Sequence, residues 1–211
     1  MTNHTISPAR RLAAAAIALV LVVVIGVIAL QASLTASGPR TASPLGTRDH
    51  AVSAGHSEVA FGAEDGVIPD GAELSVFDNN APALKRLDPA LLAAVRAAAT
   101  DAAADDITFV VNAGWRSRAL QEKLLSDATQ KYGSVEEARR WVASPDTSAH
   151  VTGEAIDLGP WNSLDWLSQH GSRYGLCQIF ANETWHYELR PEAMRDGCPA
   201  MYADSAEKDN G

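Results

Sequence analysis

The chain has 211 residues, 46% hydrophobic and 20% charged, with 17 Lys and Arg against 26 Asp and Glu. This composition excludes global disorder and fibrous repeats, and the length suits one domain of common size. Arg10 and Arg11 precede a long apolar run and no acidic residue does, so the rest of the chain carries 15 basic against 26 acidic side chains, a balance of −11. That sign does not suit a polyphosphate or nucleic-acid surface, and no nucleic-acid partner is expected. With only two Cys, a cysteine-rich zinc module is excluded as well.

In chain order, residues 1–11 are a short tail, expected on the cytoplasmic side. Residues 12–30, LAAAAIALVLVVVIGVIAL, are 19 positions without a charge. As a helix they would span about 28 Å, close to the hydrocarbon thickness of a bilayer. The arginine pair before the run keeps the N-terminus inside and sends the remainder outside. The reading is a single-pass anchor in the cell membrane with an extracytoplasmic domain. The alternative is a cleaved signal peptide and a secreted product. Export fits the cysteines. Cys177 and Cys198 both lie in the outer part, and they are expected to form a disulfide. Residues 31–67 are rich in Ser, Thr, Ala, Gly and Pro and read as a flexible linker. Residues 68–202 form the folded domain, and residues 203–211 a polar tail.

Within the domain, Asp88-Pro89 has the form of an N-cap with proline in the first turn, and the apolar spacing predicts a helix to about residue 104. ITFVVN (107–112) predicts a strand. A helix is expected over 118–131, and Ser134 with Glu137 forms a capping box for another over EEARRWVA. Residues 155–158 suit a strand. A short helix over 163–170 is expected to close on Gly171 at C′. Strands follow at 176–180 and 185–189. The sum is an α+β fold: a small, mostly antiparallel sheet with helices packed on one side, preceded by the transmembrane helix.

Two stretches place polar residues where the pattern wants apolar ones: SAHVTGEAID (148–157) and ETWH (183–186). Asp157 lies in an otherwise apolar strand, where a lone carboxylate is costly unless a metal or a buried Arg compensates it. Arg116 is one such partner. His186 sits similarly between Trp185 and Tyr187. Gly153 lets the chain turn so that His150 and Asp157 face one point. His150, Asp157 and His186 then supply three N/O ligands, the count typical of a catalytic zinc with its fourth position open. Glu183, three residues before His186, can reach the water of such a site without ligating the metal. His4, His50, His56 and His170 have no comparable context and are assigned no role.

S-x-H-x-x-G-x-A-x-D, followed by E-x-x-W-H and preceded by Gly114-Trp115-Arg116-Ser117 with Gln121, resembles the zinc D-Ala-D-Ala peptidases of bacteria. That family includes the D,D-carboxypeptidases and D,D-dipeptidases linked to vancomycin resistance. The resemblance covers about residues 80–192; Trp115 stands where Tyr or Phe is common. It implies a Zn2+ cofactor on His150, Asp157 and His186, a catalytic base at Glu183, and a catalytic contact from Arg116. It further implies substrate contacts at Ser148 and Gln121. A substrate ending in a free carboxylate needs a local cationic or hydroxyl-rich pocket, for which Arg118, Ser117 and Ser148 are the candidates. The implied activity is removal of the C-terminal D-Ala from peptidoglycan pentapeptide stems. The alternatives are hydrolysis of free D-Ala-D-Ala, a peptidoglycan endopeptidase, and a non-enzymatic zinc-binding module, which the retention of Glu183 and Arg116 disfavours.

Overall fold

The computed structural model describes residues 60–210. The expected tail at 1–11, the anchor at 12–30 and most of the linker therefore lie outside the described residues. Among the described residues no helix is long and apolar enough to cross a membrane. Five strands form one sheet: β1 (Leu74–Ser75), β2 (Val110–Ala113), β3 (Ala155–Gly159), β4 (Leu176–Gln178) and β5 (His186–Leu189). Their order is β1-β2-β3-β5-β4 and every neighbouring pair is antiparallel.

The helices form where the local chemistry asks for them. For α1 (Pro82–Lys85) and α2 (Pro89–Ala102), proline opens the first turn, and the Asp88 carboxylate accepts from the Ala90 and Leu91 amides to cap α2. Leu91, Val95, Ala98, Ala99 and Ala102 recur at helical spacing and are buried. Ser117 caps α3 (Arg118–Tyr132) at the Leu120 amide. Ser134 caps α4 (Val135–Arg139). That helix stops four residues short of the EEARRWVA expectation, because the Trp141 and Val142 amides both close on the Ala138 carbonyl. The remaining helices are α5 (Ala149–Thr152), α6 (Trp161–His170), α7 (Ala193–Asp196) and α8 (Ser205–Asn210).

Side chains alternate across a strand, so the sheet has two different faces. Ile156, Leu158 and Tyr187 point into the apolar core with Leu91 and Val95 of α2 and Leu164 and Leu167 of α6. Asp157, His186 and Glu188 occupy the opposite face, with Asp157 directly across from His186. Helices pack on the apolar face as expected. The polar face also has helical neighbours, because residues of α3, α5 and α8 wall the pocket above it.

Other boundaries also differ from the sequence reading. β2 starts at Val110 rather than at residue 107, after a tight turn in which Asp106 takes φ +59°. Gly171 keeps helical backbone at φ −57°, and the left-handed stop falls at Gly175. Gly171 serves another need: a Cβ there would lie 2.7 Å from the Leu176 carbonyl oxygen. The folded part begins before residue 68. Asp65 accepts the Ser117 amide at 2.7 Å and the Ser117 hydroxyl at 3.0 Å, tying the supposed linker to the start of α3. The expected polar tail is α8. Its charges are not merely solvated: Arg140 pairs with Asp204, Thr147 donates to Asp209, and Lys208 reaches Glu188.

Candidate active site

Three elements bring His150, Asp157 and His186 together. Asp157 and His186 face each other across the β3–β5 pair. His150 arrives on the single turn of α5, and Gly153 returns the chain toward β3. Gly153 takes φ +81°, and a Cβ there would sit 2.4 Å from the Arg86 carbonyl oxygen. Only glycine meets both demands. The Arg116 amide bonds the His150 carbonyl at 3.1 Å and Trp115 Nε1 bonds the Val151 carbonyl at 3.1 Å, so α5 is pinned on the GWRS loop.

The three side chains are buried, and one ligand atom from each lies within 4.8 Å of the others. His150 Nε2 and His186 Nδ1 each stand 3.3 Å from Asp157 Oδ1. Yet Asp157 Oδ1 and His186 Nδ1 have no aligned hydrogen-bond partner despite their burial. Buried polar atoms left this way are costly unless something else satisfies them. A divalent cation among these N/O donors does so, and the donor set fits one. The far nitrogens are held from behind: His150 Nδ1 lies 2.8 Å from the Gly114 carbonyl, and His186 Nε2 lies 3.2 Å from Glu188 Oε1.

Asp157 also forms the ion pair that the sequence offered as the plain alternative. Arg116 donates to its other oxygen, Oδ2, at 3.0 Å, and Gln121 Oε1 accepts from Arg116 at 3.3 Å. The pairing and the ligand cluster therefore share one carboxylate. Burial opposes ionisation of Asp157, but His150, His186 and Arg116 together hold it well below the usual carboxylate range. The two histidines differ. Burial, then the charge of Arg116, lowers the His150 pKa, whereas for His186 the burial effect is outweighed by Asp157 and Glu188, raising it to about 9. Two carboxylates, Asp157 and Glu188, act on His186, whereas the charge of Arg116 adds to the effect of burial at His150. Glu183 Oε2 is 3.9 Å from His186 Nδ1. Burial, helped by the charge of Asp157, pushes the Glu183 carboxyl up to about 7. A carboxyl poised there can take and return a proton near neutral pH.

These groups line one cavity of about 210 Å³, with Ser148, Trp141, Phe180 and Trp185 on its walls. Among the sequence-derived candidates, Arg116, Gln121, Ser148, His150, Asp157, Glu183 and His186 line it. Ser117 does not; its hydroxyl is spent on Asp65 and on capping α3. Arg118 is also elsewhere, exposed and paired with Asp146. Cys177 and Cys198 form a disulfide between β4 and the segment before α8. Among the charged residues of the lining, Glu188, Lys208 and Asp209 escaped the sequence reading. Glu188 follows His186 by two in HYEL, so strand periodicity places it on the same face as His186. Nothing local signals Lys208.

An antiparallel sheet with a buried His-Asp-His cluster, a nearby carboxylate and an arginine defines a metallopeptidase-like site. Residues 84–192, just over half of the chain, match the family model described as D-alanyl-D-alanine carboxypeptidase (VanY), and the chain belongs to this family. A D-alanyl-D-alanine carboxypeptidase of Enterococcus faecalis is 27% identical, the match covering 41% of this chain and 41% of that protein. The chain thus spans well under half the length of this curated relative. A vancomycin-resistance D,D-pentapeptidase VanY variant from a VanB-type cassette, solved in complex with Zn(II), is similar at 20% identity and a TM-score of 0.50, covering 59% of this chain and 84% of that one. VanYB in complex with D-Ala-D-Ala is 21% identical with a TM-score of 0.48, covering 53% and 78%. At 20% identity the likeness to the zinc-bound structure is one of fold.

Proposed function

We propose that the protein is a zinc-dependent D,D-carboxypeptidase that releases the terminal D-Ala from peptidoglycan stems ending in D-Ala-D-Ala. It would act outside the cell, held at the membrane through residues 12–30. The observation that carries the reading is the meeting of His150, Asp157 and His186 at one buried point, with Glu183 and Arg116 beside it. Family membership and the zinc-bound relative support it.

His150, Asp157 and His186 would hold the metal. When bound, zinc supplies Lewis acidity toward a water and the scissile carbonyl. Glu183 takes a proton from the attacking water and later returns it to the amine nitrogen of the departing D-Ala. A C–O bond forms, the C–N bond breaks, and the proton count closes on water. Arg116 faces the developing negative charge on the carbonyl oxygen. Its guanidinium cannot lose its charge, and Asp157 and Gln121 hold its orientation.

The test is Glu183→Ala in the full-length protein. Metal content should remain near one zinc per chain while D-Ala release from a pentapeptide falls by about 10²–10⁴-fold. His186→Ala should lose the metal itself. Loss of zinc in Glu183→Ala would make Glu183 a ligand, and retention of full activity would move the base elsewhere. Assaying wild type on pentapeptide, free dipeptide and crosslinked muropeptide decides among carboxypeptidase, dipeptidase and endopeptidase.

A further inference from the structure

We propose that Glu188 is the positioning residue that orients His186 for its metal, and that α8 completes the arrangement by holding Glu188 through Lys208. The inference rests on the zinc reading above. A histidine ligates through one nitrogen, and the partner of the other nitrogen decides which one carries the proton. His186 turns Nδ1 to the cluster and Nε2 to Glu188 Oε1, 3.2 Å away. A carboxylate at Nε2 keeps the proton there and leaves the Nδ1 lone pair free. His150 presents the opposite nitrogen, with the Gly114 carbonyl behind it. The two rings are fixed by the same device, one with backbone and one with a side chain.

Glu188 is itself 3% exposed, so its charge needs compensation where it sits. Lys208 Nζ donates to the same Oε1 at 2.7 Å, and Arg190 donates to Oε2. Lys208 belongs to α8, beyond the residues 84–192 that the family model matches. The route to α8 is secured next to Glu188. Cys177, bridged to Cys198, is the register partner of Glu188 on the neighbouring strand. Farther on, Phe180 and Tyr202 pair as an isolated bridge. The C-terminal segment is thus anchored beside the residue it braces.

Zinc affinity of the full-length protein, measured by competition with a chromophoric chelator, tests this without reference to turnover. Glu188→Leu should weaken binding by about 10–100-fold, the usual cost of losing such an outer partner. Glu188→Gln keeps an acceptor oxygen and should lose less. Excess zinc should restore most of kcat in Glu188→Leu with KM unchanged. Zinc affinity within twofold of wild type in Glu188→Leu, or in Glu188→Gln a loss as large as in a ligand variant, would overturn the proposal. So would a raised KM at unaltered zinc affinity, which would make Glu188 a substrate contact. If Glu188→Leu does not fold, Glu188→Gln alone decides: a loss clearly smaller than that of His186→Ala but above twofold supports it, and wild-type affinity overturns it. Failure of the wild type to bind zinc at all would instead remove the functional reading beneath it.

Discussion

Breaking the Cys177–Cys198 bridge tests how the C-terminal segment is held. Cys198→Ser is the better perturbation, because residue 198 is exposed whereas Cys177 is fully buried in β4. The two cysteines are 21 residues apart. Closing a loop of that size removes chain entropy from the unfolded state worth about 3 kcal/mol. For a folded part of this size, each kcal/mol moves Tm by about 2–4 °C, so the variant should melt about 6–12 °C lower. The assay is denaturant unfolding of wild type and variant without reductant, compared at equal m value so that the difference is one of stability. Two free thiols should appear in denatured wild type only after reduction. A loss below about 1 kcal/mol would refute the loop-entropy argument, since the bridge would then constrain little that is not already constrained. Two titratable thiols in the unreduced protein would refute the disulfide itself.

Two further outcomes check particular residues. Ser117→Ala should cost about 1 kcal/mol of stability through loss of the α3 cap and leave KM unchanged, because its hydroxyl bonds Asp65 and not the pocket; a raised KM in steady-state assays would return Ser117 to the substrate. For Tyr174, burial and the bond to Asp101 push the phenol up to about 12 from an ordinary 10. A pKa raised on folding gives stability that is present below pH 10 and drains away as pH rises through 12. The stability difference between wild type and Tyr174→Phe should therefore shrink across that interval, and a constant difference in unfolding measurements would contradict the assignment.

What the sequence made legible depended on whether a residue's role is local. The caps at Asp88 and Ser134 and the apolar spacing of Leu91, Val95 and Ala98 act within a turn or two, and the helices they announce are present. His150, Asp157 and His186 were readable for a related reason. Each is polar in an apolar context, and a strand register plus one glycine turn suffices to join them. Ser117 misled because a hydroxyl beside Arg116 can serve either a substrate or a helix end, and only the path of residues 60–67 decides which. Glu188 was hidden by its neighbour: in HYEL the histidine had already explained the polar face, although period two admits a second polar residue there. Lys208 lay beyond local reasoning altogether. Its meaning comes from a hydrogen bond spanning twenty positions, made by a helix whose composition alone resembles any solvated end of a chain. The charges that such a segment carries are informative only once a buried carboxylate is found waiting for one of them, which is why the second layer of a metal site is harder to read than the first.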